Sequence, residues 1–143
     1  MVWCARNLLT GATARLTDPG NVVQLGFQGQ ALISPDGSEA YLAGTADLSA
    51  FNPEVELYGV KTDGSGLRRI TSSCIAMDSA TSMRWQPVRL SPDGKRMLAN
   101  CHTEHFPPAP VVRTDKIMIV HLDDGSACFV THGRAYDWHV PTT

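Results

Sequence analysis

No stretch of this 143-residue chain approaches the run of about 18 apolar residues that a membrane-crossing helix needs, so no membrane span is expected. The opening MVWCARNLLTG also lacks the basic start and apolar run of an export signal. Cationic clusters are missing: the twelve Lys and Arg are scattered along a chain of formal charge −2. That argues against nucleic acid as a partner, because phosphate binding draws its affinity from grouped cations. The four cysteines, Cys4, Cys74, Cys101 and Cys128, form no C-x-x-C pair, which removes zinc ribbons and dithiol redox motifs. Disulfides stay open, since spacing alone does not assign them, and cysteines in strands are commonly small buried hydrophobes. Neither a G-x-S-x-G nucleophile elbow nor a G-x-G-x-x-G phosphate loop is present. Gly64-Ser65-Gly66 reads as turn chemistry.

What is present is a repeat, set in a composition (43% hydrophobic, 18% charged) that suits one globular domain with a core. ALISPDGSEAYLAG runs from Ala31 to Gly44, and VRLSPDGKRMLANC runs from Val88 to Cys101. Their tetrapeptides, Ser34-Pro35-Asp36-Gly37 and Ser91-Pro92-Asp93-Gly94, each sit between two strand-like runs. Proline presets the backbone of a turn's second residue, Asp bonds back to the main chain, and Gly accepts the positive φ that follows, so each tetrapeptide predicts a tight hairpin. A second apolar pair follows in each copy, VELYGVKTDGSGLRRIT and KIMIVHLDDGSACFVT, closed by Asp63-Gly64 and Asp124-Gly125. VWCARNLLTGATARLT, turning at Thr10-Gly11, matches that closing half alone.

Each full repeat thus offers four strands, A to D, and a four-stranded antiparallel meander recurring at a fixed period is the unit of a β-propeller blade. The expected fold class is all-β: a single segment with a half blade at 1–17, complete blades at 30–71 and 86–131, and the first strand of a further blade at 134–139. Ile117-Met118-Ile119-Val120 is apolar at consecutive positions, as in a strand covered on both faces. Propellers close with about four to eight blades. The ring is therefore expected to be completed in one of two ways. Either the chain is a piece of a longer protein, or copies associate as a homo-oligomer, one chain's N-terminal pair meeting its neighbour's last strand.

The strand into Ser-Pro-Asp-Gly, the short apolar strand, the Asp-Gly turn and the terminal Ile-Thr or Val-Thr resemble the TolB-type propeller repeat, a relative of the WD-type blade. The resemblance spans Val2 to about His139. It implies a propeller fold and a periplasmic or cell-envelope location; the expected role is a non-catalytic interaction module. The same blades also occur in oligogalacturonide-type lyases that use a histidine-rich metal site, and as caps of prolyl-oligopeptidase-type peptidases. A peptidase would need a separate catalytic domain.

In such a blade the A–B and C–D turns share one rim, here all short, while the long connections 18–29, 45–54, 72–86 and 102–115 share the other. Long loops on a rigid scaffold carry binding, so a protein partner or a small or carbohydrate ligand is expected on that rim. Within CHTEHFPPAP, His102 and His105 flank Glu104, and with His132 they are the candidate ligands for a divalent metal; no other cofactor is indicated. Their bland alternative is solvated loop histidines. Phe106 to Pro110 is expected to stiffen the loop into an extended segment or to offer a partner an apolar patch. His121 reads as a bordering strand residue. Trp85 and Trp138 are expected to pack between blades, with stacking on a sugar as the alternative.

Overall fold

The structure, a computed structural model, describes residues 4–16, 31–45, 54–71, 81–105 and 111–137. All their regular structure is strand. β1 (Cys4–Arg6) and β2 (Thr13–Arg15) form a hairpin. β3 (Leu32–Ile33), β4 (Glu39–Gly44), β5 (Glu56–Lys61) and β6 (Arg68–Arg69) form a first four-stranded sheet. β7 (Thr81–Leu90), β8 (Arg96–His105), β9 (Val112–His121) and β10 (Ala127–His132) form a second. Strand order follows chain order in both, and every strand pairing is antiparallel.

The two Pro-Asp-Gly tetrapeptides fold alike, bond for bond. Gly37 N–H donates to Ser34 O, and Gly94 N–H to Ser91 O, each at 2.9 Å. Asp36 accepts the Ser34 hydroxyl and the Ser38 N–H; Asp93 accepts the Ser91 hydroxyl and the Lys95 N–H. Gly37 and Gly94 have φ of 74° and 68°, the left-handed region that glycine enters without steric cost. The β5–β6 and β9–β10 turns sit beside them at the same end of each sheet: Thr62 N–H donates to Ser38 O and Leu122 N–H to Lys95 O. Side by side, the two tetrapeptides nearly touch, since a Cβ on Gly94 would lie 2.9 Å from Pro35 Cδ.

The hairpin, the first sheet and the second sheet stack face to face in that order. Alternate residues of β4 and β5 point to opposite faces, so one set (Ala40, Leu42, Tyr58, Val60) packs with Leu16 and the other (Tyr41, Ala43, Leu57) packs with the second sheet. The second sheet answers with Met83, Trp85, Met97, Ala99, Cys101, Met118 and Val120. A fully buried Leu42 or Leu57 contributes about 1.5–3 kcal/mol. The junction is stitched by main chain too: Val55 N–H donates to Met83 O and Trp85 N–H to Val55 O, an isolated parallel bridge.

Three expectations are corrected. The connection placed at 102–115 is mostly strand, because β8 continues to His105 and β9 resumes at Val112. Trp85, placed ahead of its strand, lies inside β7 and is buried between the sheets. Of the strand expected at 134–139, residues 134–137 are described and form none; Trp138, like 17–30, 46–53, 72–80 and 106–110, lies outside the described residues.

Candidate functional site

The sheet register builds a polar surface on the outer face of the second sheet, away from the first. Antiparallel partners share a face, and β7, β8 and β9 set Arg84, His102 and Asp115 in one row. Ser82, Glu104 and Arg113 form the next, toward the end of the sheet away from the Pro-Asp-Gly turn. Both rows are joined laterally. His102 Nδ1 donates to Asp115 Oδ1 at 2.8 Å, a direction required because an ionised carboxylate only accepts. Arg134 Nε pairs with the other Asp115 oxygen at 3.1 Å, and Arg113 Nε donates to Glu104 Oε1 at 2.8 Å. Ser82 Oγ is buried without a hydrogen-bond partner among the described residues.

These contacts set the charge states. The His102 hydrogen bond, with Arg134 beside it, holds the Asp115 carboxyl below the usual carboxylate range. Arg113 does the same for Glu104.

Beyond β10 the chain turns back over this face. Gly133 N–H donates to Asp115 O at 2.9 Å. The Asn100 side chain grips the Ala135 main chain at both ends, accepting its N–H at 2.7 Å and donating to its carbonyl at 3.0 Å. Arg89 pairs with Asp137. The segment 133–137 thus forms a strap fastened to β9, β8 and β7 in turn.

The three candidate histidines do not converge. Residues three apart on a strand face opposite ways, so His102 lies on the outer face and His105 on the inner side. His132, at the end of β10, stands in register with Lys116, and its ring meets Phe129 edge-on with centroids 5.2 Å apart. No group of three or more His, Cys, Asp or Glu side chains is gathered for a metal among the described residues. His121 closes the β9–β10 turn through its main chain. Arg84, Asn100, Arg113, Asp115 and Arg134 were not anticipated from sequence. The available signal was alternation: Asn100, His102 and Glu104 recur at every second position, as do Arg113 and Asp115.

The chain matches no protein-family model, no curated protein and no solved structure.

Proposed function

We propose that this chain is a run of TolB-like β-propeller blades acting as a non-catalytic binding module, through the end of its sheets opposite the Pro-Asp-Gly turns. The observation that carries the reading is the cross-strand polar surface of Arg84, His102, Glu104, Arg113 and Asp115 at that end of the second sheet. Planar hydrogen-bonding side chains locked in register on strands make a rigid recognition surface that loses little side-chain entropy on binding. Two stacked meanders with matching turns at one end support the propeller element. The lyase alternative asks His102, His105 and His132 to meet at one metal, and their strand positions favour binding without chemistry.

The test is an amide-shift titration of isotope-labelled protein with an oligogalacturonide, with and without a manganese salt. Shifts confined to the rows of Arg84 and Arg113, with the sugar recovered intact, are expected. Metal retained stoichiometrically and lost on His102→Ala or His105→Ala, with cleaved sugar, replaces the proposal by the lyase reading.

A further inference from the structure

The last strands of the two sheets, β6 and β10, present different edges. β6 is two residues long, both arginine, each in an ion pair at 3.0 Å: Arg68 with Glu39 and Arg69 with Glu56. Short charged edges discourage a further strand from adding. β10 is six residues, ACFVTH, without Lys, Arg, Asp or Glu, and exposed from Cys128 to His132. Phe129 and Val130 are 54% and 50% exposed. As the end strand of its sheet, β10 offers backbone N–H and C=O groups that no described strand pairs. Its flanks are polarised: the exposed Asp123 and Asp124 precede it, and Arg134, with more than half its side chain in solvent, follows.

We propose that β10 pairs antiparallel with β10 of a second copy of this chain about a two-fold axis, forming a weak edge-to-edge dimer. Full overlap of the two strands sets Ala127 against His132 and Phe129 against Val130, so the exposed apolar side chains meet at the axis. The same overlap brings the acidic turn of each chain beside Arg134 of the other. Charge complementarity therefore selects the antiparallel self-pair; a parallel pair would set like charges together. The irregularity between Phe129 and Thr131 interrupts the ladder and keeps the contact short. Two such strands bury less than the roughly 1,200 Å² of a stable interface, so the dimer forms only at high concentration. This contact uses the edge of the second sheet and leaves its outer face free.

Sedimentation equilibrium of the reduced protein from about 10 µM to about 1 mM tests it, the range where small contacts associate. The mass is expected to climb toward that of two chains. Phe129→Lys and Val130→Lys, both at exposed positions, should each weaken association at least about tenfold. Asp123→Lys should weaken it too, and added salt should do so in the unaltered chain. Ile119→Lys, on the outer face of the same sheet, should leave it unchanged. A mass fixed at one chain throughout overturns the proposal. So does association abolished by Ile119→Lys but untouched by Phe129→Lys, which would place the contact on the face.

Discussion

Gly64 and Gly125 carry a constraint beyond turn formation. Each has positive φ, and a Cβ on either would stand 2.2 or 2.1 Å from a main-chain carbonyl of the preceding layer, Arg15 O or Ile70 O. Gly37 also has a positive φ, but no described residue lies within 4 Å of where its Cβ would stand. Gly37→Ala is therefore expected to cost only the left-handed strain, about 1 kcal/mol. Gly125→Ala and Gly64→Ala add a clash with backbone and should cost about 3 kcal/mol each, read from urea midpoints at neutral pH. The turn aspartates make a second prediction. Hydrogen bonds from Ser34 and Ser38 bring the Asp36 carboxyl down to about 2, and bonds from neighbouring serines or main chain lower Asp63, Asp93 and Asp124. A carboxyl that titrates lower in the folded chain than in the unfolded one favours folding when ionised. Its contribution is whole above the unfolded value, about 4, and is lost as pH falls through the folded one. Asp115 and Glu104 act in the same sense, while Glu56, pushed up by burial, opposes them. Urea midpoints should hold steady from pH 7 to about 5 and fall steadily from about 4 to 2. A midpoint that rises on acidification would show Glu56 outweighing the turns.

At the scale of elements, one amide holds the middle of the strap over the second sheet. Asn100→Asp keeps the acceptor for Ala135 N–H but sets a carboxylate oxygen against the Ala135 carbonyl, where the amide donated. Protection of the Ala135 amide from hydrogen exchange should disappear, with a loss of about 1 kcal/mol in overall stability. Unchanged protection would mean that the Arg134 and Arg89 ion pairs hold the strap alone. The hairpins themselves were legible in the sequence, because Pro-Asp-Gly and Asp-Gly act through local backbone chemistry that distant residues do not alter. The far ends of β8 and β9 were not. Strands whose outward positions are Asn100, His102 and Glu104 on β8, and Arg113 and Asp115 on β9, have the composition of a loop, and only pairing across strands turns those residues into neighbours. His102 and His105 show the same gap: their spacing suggests a pair, and the extended backbone separates them onto two faces. Trp85 was legible as a residue that packs between layers, although its strand was placed too late.

For the molecule as a whole, the first sheet is the load shared by two cores, with Leu42 on one face and Leu57 on the other, both almost wholly buried. Leu42→Ala and Leu57→Ala should each cost about 2–5 kcal/mol and add nearly independently, since their side chains belong to separate clusters. Hydrogen exchange should rank the layers. The hairpin, with three-residue strands and few buried side chains, should exchange first; Met97 to Cys101 in the doubly covered β8 should exchange last. Because strand order follows chain order in each sheet, assembly needs only segments that leave the ribosome one after another. The first sheet is complete once Arg69 has been synthesised. Its greasy side, Tyr41, Leu57 and Ile70, is then bare until β7 and β8 arrive, which makes the interval between Thr71 and Cys101 the stage of translation at which a nascent chain is most exposed to clumping and to chaperone capture.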